Sequence, residues 1–293
     1  MQHGKNWGDI LFYIFNYLFL TLLCFTMLYP FYYALVASVS NPYVVLKSRG
    51  LLFWPRGINF ENYRHVFRNP IIGRAYLNTI FYVIAGTLIN IILTAFGAYA
   101  LSRKHLWGRE FMMLIIVFTM FFSGGLIPQF LLVKRLGLID TRWALLLPTA
   151  INTYNLIIMR TGFSSIPDSL EESAKLDGAN DFIILFRIYF PVALPTIAVM
   201  ILFYAVGHWN AWFWAMVYLR NRALYPLQLI LREILIAADV SSMVTDVSMV
   251  DQIPLLFTIK YAAIIITMAP ITILYPFLQK YFIKGIMIGS LKG

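Results

Sequence analysis

Six apolar runs of roughly twenty residues each, separated by polar connections, dominate this sequence of 293 residues. A run of about 20 apolar residues is long enough to cross the ~30 Å hydrocarbon core of a bilayer as a helix. Lipid offers the backbone no hydrogen-bond partner and the runs lack the alternating polarity of barrel strands, so they are predicted to be helices. The runs cover approximately residues 10–37, 75–101, 111–133, 143–160, 192–218 and 257–278.

The composition agrees with a membrane protein. Hydrophobic residues make up 60% of the chain and the mean hydropathy is +0.75, whereas a soluble domain averages about 45–50% apolar residues. The first run follows Lys5 and is longer than a signal-peptide core of about 7 to 15 residues, so we expect it to be a retained span. The sequence has no long repeat and no second soluble domain, and residues 1–293 are predicted to form a single all-α transmembrane domain.

The charge distribution argues against nucleic-acid binding and does not decide the orientation of the chain in the membrane. The net charge of +10 is spread over connections and span ends, unlike the basic stripe of a nucleic-acid-binding domain. Lys and Arg are shared almost evenly between the two sides, so their count does not decide which side is cytoplasmic. The single cysteine, Cys24, lies within the first run and permits no internal disulfide.

Motifs for catalysis and for ATP binding are missing from the sequence. The four histidines are far apart without metal-ligand spacing, and no nucleophile motif such as G-x-S-x-G occurs. No G-x-x-x-x-G-K-[ST] loop is present either. We therefore expect no enzyme activity, no metal and no ATP bound by this chain in that manner.

A short helix is predicted ahead of the second run. The segment NFENYRHVFRNP, at 59–70, offers Asn59 as an N-cap and ends before Pro70. Its aromatic and basic residues suit a membrane surface. The acidic segment at 233–251 has two open interpretations, a solvated loop or a contact for an external protein.

Acidic residues concentrate in the fourth connection, where five of the thirteen fall within residues 168–181. Either of two overlapping capping boxes, one headed by Ser169 and one by Asp168, predicts a helix that begins near Leu170. Asp177-Gly178 predicts its end, because glycine takes the left-handed conformation that closes helices. Asn180 then caps a second helix that runs to Pro191. The acids either solubilise this loop or contact a partner protein.

The residues of this connection resemble a known signature. Glu172-Ser173-Ala174, then Gly178, then Ile188-Tyr189-Phe190-Pro191 is similar to the EAA motif of binding-protein-dependent ABC importers, with Ser173 and Phe190 as mild departures. Further similarity, in LDGAN, WNAWFWAMVYLRN, LYPLQ and the tail YPFLQKYFIKGIMIGSLKG, is to oligosaccharide-uptake permeases of the maltose-transporter type. It covers nearly the whole chain.

The resemblance implies a fold of six transmembrane helices with a cytoplasmic coupling helix, within residues 166–190, that contacts a separate ATPase. It implies cytoplasmic termini in a bacterial cell membrane, a homologous second permease, two ATP-binding subunits that hold ATP and Mg, and an extracellular substrate-binding lipoprotein. The expected coupling residues share this one loop: Glu171, Glu172, Ser173, Ala174, Asp177 and Gly178. Glu171 and Glu172 are expected to pair with basic residues of the ATPase, and Ala174 to allow its close approach.

Polar and aromatic residues in the fourth and fifth runs are candidates for a substrate pathway. An aromatic surface beside amide groups suits sugar rings, which have apolar faces and hydroxyl edges. The same amides are equally consistent with helix-to-helix hydrogen bonds, and the tryptophans with an interfacial belt. The candidates are Asn152, Asn155, Trp209, Asn210 and Trp212.

The predicted function is thus a permease subunit of an ATP-driven importer of oligosaccharides. An alternative is a secondary transporter driven by an ion gradient. That class favours charged residues at mid-membrane and inverted repeats with broken helices. The second, third and fifth runs contain no Asp, Glu, Lys or Arg in their interiors.

Overall fold

The computed structural model of the protein describes residues 7–47, 51–243, 258–274 and 276. Helices make up most of this part of the chain, and it contains no β-strand, only an isolated antiparallel bridge between Ser40 and Ile58. The predicted all-α class is confirmed. The C-terminal tail, apart from residue 276, and the acidic segment beyond residue 243 lie outside the described residues.

Fifteen α-helices are numbered here in chain order within the described ranges. They are α1 Trp7–Ser38, α2 Pro42–Lys47, α3 Glu61–Arg68, α4 Pro70–Ser102, α5 Arg109–Phe121, α6 Leu126–Arg135, α7 Trp143–Leu146, α8 Thr153–Ser164, α9 Asp168–Leu176, α10 Asp181–Ile184, α11 Phe190–Val192, α12 Leu194–Trp209, α13 Phe213–Tyr218, α14 Leu227–Met243 and α15 Thr258–Leu274. A π-helical turn, Leu185–Tyr189, joins α10 to α11, and a 3₁₀ turn covers Arg222–Leu224.

Two helices, α1 and α4, are individually long and apolar enough to cross a membrane, and they match the first two predicted runs. Two further pairs reach that length only together. The α5 and α6 axes differ by 112°, and those of Asp181–Val192 and α12 by 89°. By length and composition the described residues therefore contain two spans, or four if each bent pair is one.

Three predicted runs are not single continuous helices. The third breaks at Gly125, whose φ of 84° and ψ of −179° lie outside the helical region and require glycine. The fourth divides into α7 and α8 around Pro148, a residue that cannot continue the helical hydrogen bonds. The fifth divides into α12 and α13 at residues 210–212. Apolar length does not reveal these breaks.

One compact unit contains the chain up to Asn69 together with Glu233–Met268. In it, the predicted short helix is present as α3, but its N-cap is Phe60, with no side-chain cap, and not Asn59 as predicted. The Asn59 side chain accepts a hydrogen bond from Glu61 N at 2.7 Å. Buried Asn62 donates to Ser38 O at 3.2 Å and accepts from Thr258 Oγ1 at 3.0 Å. These bonds fix α3 to the end of α1 and to the start of α15. Most of α1 exposes apolar side chains.

The second compact unit contains Pro70–Arg232 and Ala269–Gly293. Its core forms where α4 packs against α8 and α12, and it continues under α10 and the π-helical turn. Gly86 of α4 faces the ring of His208 on α12, where a β-carbon would overlap the imidazole. This unit holds every candidate site residue named from the sequence.

Candidate functional site

The acidic helix α9 begins at Asp168, directly after Pro167. The sequence predicts a start near Leu170 with a capping box, and that prediction is wrong, since no side chain caps this helix. The reason lies in the cations nearby. Asp168 Oδ2 accepts from Lys104 Nζ at 2.6 Å, and Glu171 pairs with Arg103, so these carboxylates turn away from the helix N-terminus.

The end of α9 follows the prediction. Gly178 has φ +80°, the left-handed conformation expected at this position. Its amide donates to Lys175 O at 3.0 Å, and the amide of Ala179 donates to Ala174 O at 2.9 Å. This pair of bonds is a Schellman motif, which satisfies the last carbonyls of a helix.

The next helix begins as predicted, because Asn180 Oδ1 accepts from Ile183 N at 2.9 Å. Its end also follows the prediction to within one residue, because the helical stretch runs from Asp181 to Val192 and the axis then bends by 89° into α12. A π-helical turn, Leu185–Tyr189, widens the backbone of this stretch. Pro191 lies in the first turn of α11, a position where a helix does not require the backbone N–H that proline lacks. Wide turns of this kind are frequent at functional sites.

Glu171 faces the interior of this chain. Only 6% of the residue is exposed, and its carboxylate contacts the guanidinium of Arg103. Glu171 Oε1 lies 2.7 Å from Lys175 Nζ, and Tyr189 OH donates at 3.3 Å to Oε2, the oxygen that contacts Arg103. The sequence assigned Glu171 to an ATPase contact, whereas the structure gives it partners within the chain.

The outer face of α9 is different. Glu172, Ser173 and Leu176 are exposed, and Leu176 is 89% exposed. Glu172 has no ion-pair partner within the part of the chain that the structure describes. Ala174, expected to face a partner, instead packs against the core of this chain, and Asp177 is the exposed C-cap. The predicted coupling residues thus divide between two faces of one short helix.

The charge of Asp168 is stabilised at the start of α9. The hydrogen bond from Lys104 holds the pKa of this carboxyl below its usual value, and the positive charges of Lys104, Arg103 and His105 add to the effect. Both side chains of the Asp168–Lys104 pair are largely exposed, so water and salt screen it.

A cavity of about 340 Å³ lies in the same unit, and four of the five predicted pathway residues line it. Asn152 and Asn155 approach from the start of α8, and Asn210 and Trp212 from the break after α12. Aromatic and amide side chains thus share one cavity. Its lining is completed by Tyr82, Leu145, Thr149, Phe203, Tyr204, Gly207, His208, Ala211, Phe213, Trp214 and Pro226.

Hydrogen bonds fix the wall of this cavity. The Asn152 side chain caps α8, because its Oδ1 accepts from Asn155 N at 3.1 Å. The backbone N–H of Asn152 donates to Tyr204 OH at 3.2 Å. Tyr204 OH also lies 2.7 Å from Thr94 Oγ1 on α4. The Asn152 side-chain bond is thus a cap within α8 and not the helix-to-helix bond considered from the sequence. The position of both asparagines at the cavity agrees with a pathway.

The fifth predicted pathway residue, Trp209, lies elsewhere. It is buried, and its ring contacts Tyr76 edge-on at a centroid distance of 5.9 Å. Trp209 does not line the cavity. In a continuous helix, residues three apart share a face. The break between α12 and α13 at residues 210–212 separates Trp209 from Trp212, and apolar length does not reveal that break.

Sequence reasoning missed Arg103, Tyr189 and Leu176. Arg103 stands in the basic stretch SRKHLWGRE between the second and third apolar runs, where basic residues at the end of a span are ordinary. No local sequence pattern shows that Arg103 is buried, or that it pairs with Glu171, 68 positions later in the chain. Tyr189 was included only as part of the motif. Leu176 is the single large apolar residue of the last turn of α9, and its position one helical turn after Glu172 was a usable signal.

The described residues contain two helices, or up to four spans, that are long and apolar enough to cross a membrane, and a cavity lined by aromatic and amide side chains without a charged residue. These features agree with a membrane-spanning permease. The chain belongs to the family of binding-protein-dependent transport system inner membrane components, whose model matches residues 2–288. It is thus a transport permease, the membrane-spanning subunit of an ABC importer. The secondary-transporter alternative is set aside by this membership.

Relatives and a solved structure agree over nearly the full length. The chain is 44% identical over 282 residues to the polygalacturonan/rhamnogalacturonan transport system permease protein YtcP of Bacillus subtilis (strain 168), with 94% of this chain and 96% of that protein covered. It is 41% identical over 292 residues to protein LplC of the same organism, covering 100% and 98%. A crystal structure of a bacterial ABC transporter involved in the import of the acidic polysaccharide alginate contains a chain 36% identical, with a TM-score of 0.87 and coverage of 96% and 100%.

Proposed function

We propose that this permease moves an oligosaccharide, delivered by an external binding protein, across a bacterial cell membrane with energy from ATP hydrolysed on separate subunits. The observation that carries the proposal is the division of α9 into an inner face bonded to its own chain and an outer face that exposes Glu172 and Leu176. A helix of nine residues is marginal in water by itself. Here its inner contacts hold it in place and leave the outer face for a partner.

The outer face of α9 is the proposed contact with the ATPase. It is the stripe of residues three and four apart formed by Ser169, Glu172, Ser173 and Leu176. Leu176 supplies an apolar anchor for a groove on the partner, and Glu172 supplies a charge for a basic residue there. Glu172 stands at the edge of an open cleft of about 550 Å³ whose lining has both acidic and basic side chains.

The proposed assembly follows from that contact. Two ATP-binding subunits, which hold ATP and Mg, lie on the cytoplasmic side, and α9 and both termini of this chain lie on the same side. A second, homologous permease completes the membrane part, and an extracellular lipoprotein brings the substrate. Closure of the ATPase dimer displaces α9. The membrane helices then move and change the side of the membrane to which the pathway is open.

The proposed substrate is an oligosaccharide, and the cavity lined by Asn155, Asn210 and Trp212 is its proposed path. Aromatic rings there suit the apolar faces of sugar rings, and the amides suit their hydroxyl groups. The relatives named for polygalacturonan and rhamnogalacturonan, and the structure named for alginate, make oligosaccharides that contain uronic acids the first to test.

The test is uptake by proteoliposomes that contain this chain, its second permease and the ATPase, with binding protein outside. Radiolabelled oligogalacturonides are added outside vesicles that enclose ATP, that enclose a non-hydrolysable analogue, or that carry a proton gradient alone. We expect accumulation only with ATP, with the ATPase and with the binding protein. Uptake by the permeases alone, driven by the proton gradient, would contradict the proposal.

A further inference from the structure

Arg103 is a buried cation at the point where α4 ends. It follows Ser102, the last residue of α4, and is 8% exposed. Its Nη1 contacts the carboxylate of Glu171 and donates to Tyr189 OH at 3.0 Å, and its Nη2 donates to Tyr99 OH. Asp181 Oδ1 lies 3.9 Å from Nη2. One guanidinium thus joins the end of α4 to α9, to the π-helical turn and to the start of α10.

Aromatic rings complete the surroundings of Arg103. The carbon at the centre of its guanidinium lies 4.1 Å from the ring centroid of Tyr99 and 5.1 Å from that of Tyr189. The two rings meet edge-on with centroids 5.1 Å apart. Rings over a guanidinium contribute electrostatic attraction that is strongest where water is excluded. A lysine, which has a single ammonium, cannot make these contacts at once.

The burial of the Arg103–Glu171 ion pair determines how the pair responds to force. Separating a buried ion pair leaves two charges without compensation and is strongly unfavourable. The neighbouring pair, Lys104 and Asp168, also joins the end of α4 to α9, but both of its side chains are largely exposed and solvent replaces each partner easily. The buried Arg103–Glu171 pair therefore resists separation more strongly than the exposed Lys104–Asp168 pair.

Helix α4 leads from Arg103 to the cavity. Asn90 and Thr94 lie thirteen and nine residues before Arg103 on the same helix, about 20 and 14 Å along its axis at 1.5 Å per residue. Asn90 Oδ1 lies 2.6 Å from His208 Nε2, and Thr94 Oγ1 lies 2.7 Å from Tyr204 OH. Both partners line the cavity. A rigid helix thus connects the buried ion pair to the cavity wall.

We infer that Arg103 is the positioning residue that transmits the displacement of α9 to α4 and so couples ATP hydrolysis to opening of the pathway. The inference rests on the proposed function of α9. It assigns different roles to neighbouring glutamates: Glu172 contacts the ATPase, and Glu171 holds α9 to its own membrane helix. Docking and transmission are then separable by substitution.

The experiment compares the double variant Arg103→Met/Glu171→Gln with wild type in the full importer assembly, reconstituted in proteoliposomes. Removing both partners leaves no buried charge uncompensated, which favours a folded protein. The measurements are retention of the ATPase on purification and the uptake of oligosaccharide per ATP hydrolysed. We expect the ATPase to be retained and uptake per ATP to fall about tenfold, within the usual range for coupling between two sites.

The exposed pair supplies the matched control. Lys104→Met/Asp168→Asn removes the other contact between the same two segments, and we expect uptake per ATP to remain at the wild-type value. Wild-type uptake per ATP in the Arg103→Met/Glu171→Gln assembly would overturn the inference, and so would loss of the ATPase from it, because Arg103 would then act in docking. Failure of the wild-type assembly to retain an ATPase would instead overturn the proposed function.

A thiol cross-link between positions 103 and 171 provides a second test if the double variant does not fold. In a Cys24→Ser background, Arg103→Cys/Glu171→Cys is joined with a short thiol cross-linker. We expect low uptake per ATP in the reduced form and recovery in the cross-linked form, since the link again carries α4 with α9. No recovery on cross-linking would overturn the inference.

Discussion

His208 Nε2 lies 2.6 Å from Asn90 Oδ1, and this contact joins α12 to α4 beside the cavity. The amide nitrogen of Asn90 donates to Thr149 O at 2.7 Å and to Ala150 O at 2.8 Å. That arrangement leaves the Asn90 oxygen as acceptor, so His208 Nε2 is the donor. The histidine ring is seated against Gly86, whose missing side chain makes room for it.

The first prediction concerns that close approach. Gly86→Ala places a methyl group in the imidazole of His208, and we expect a loss of about 1–3 kcal/mol in the free energy of unfolding, as for other overpacked cores. The matched control on the same helix is Gly73→Ala, where a β-carbon meets nothing within 4 Å. There we expect a gain of about 0.5–1 kcal/mol. Thermal unfolding in detergent separates the two, and equal stability of both variants would refute this packing of α4 on α12.

The second prediction separates the two tryptophans. Trp212→Ala removes an aromatic wall of the cavity, and we expect weaker oligosaccharide uptake with a melting temperature close to wild type. Trp209→Ala removes a buried ring, and we expect a loss of about 3–5 kcal/mol of stability. Transport kinetics and thermal unfolding are measured on both. The reverse pattern, with unchanged stability and weakened uptake in Trp209→Ala, would contradict the assignment of the cavity.

The third prediction concerns the turn after α9. Gly178 has φ +80°, where an alanine is strained by about 1–2 kcal/mol. Gly178→Ala should therefore weaken retention of the ATPase on purification, and Gly178→Asn should restore much of it, since asparagine tolerates this conformation. If both variants retained the ATPase equally, the geometry of this turn would not matter for docking.

The fourth prediction is a pH dependence at Asp140, in the connection between α6 and α7. Its Oδ1 accepts from the amides of Asn221 and Arg220 at 2.8 and 2.9 Å, and these bonds hold the pKa of the carboxyl below its ordinary value. The stabilisation is present above the unfolded pKa of about 3.9 and is lost as the pH falls through the lower folded value.

Asp140→Asn retains the side-chain oxygen but not the negative charge. The stability of this variant should therefore lack the contribution that ionised Asp140 makes and that is lost in acid. We expect the melting temperature of wild type to exceed that of the variant at pH 6 and the two curves to converge toward pH 3. Melting temperatures measured across this range check the expectation. Parallel curves would show that the ionised form of Asp140 is not favoured by folding.

Sequence patterns predicted the features that depend on local chemistry. The Schellman turn at Gly178, the cap at Asn180 and the short helix α3 follow from residue types at fixed spacing. The start of α9 was misjudged because Lys104 and Arg103, more than sixty residues away, attract the carboxylates that would otherwise cap it.

Features that depend on packing were not predictable in the same way. Apolar length indicated the runs but not their breaks at Gly125 and around Pro148. One pathway is predicted for the three asparagines and both tryptophans, whereas Trp209 is buried beside Tyr76 and does not line the cavity. The side of a helix that faces inward is decided by its neighbours, and no single-chain pattern contains them.

The outer face of α9 is tested most directly by site-specific cross-linking in the full assembly. In a Cys24→Ser background, Glu172→Cys is compared with Arg220→Cys, an exposed position in the connection after α13. We expect a short thiol cross-linker to join Glu172→Cys to the ATPase subunit, in an amount that changes when ATP is added, and to leave Arg220→Cys unjoined to it. No cross-link from Glu172→Cys in an assembly that transports would contradict the central role given to α9.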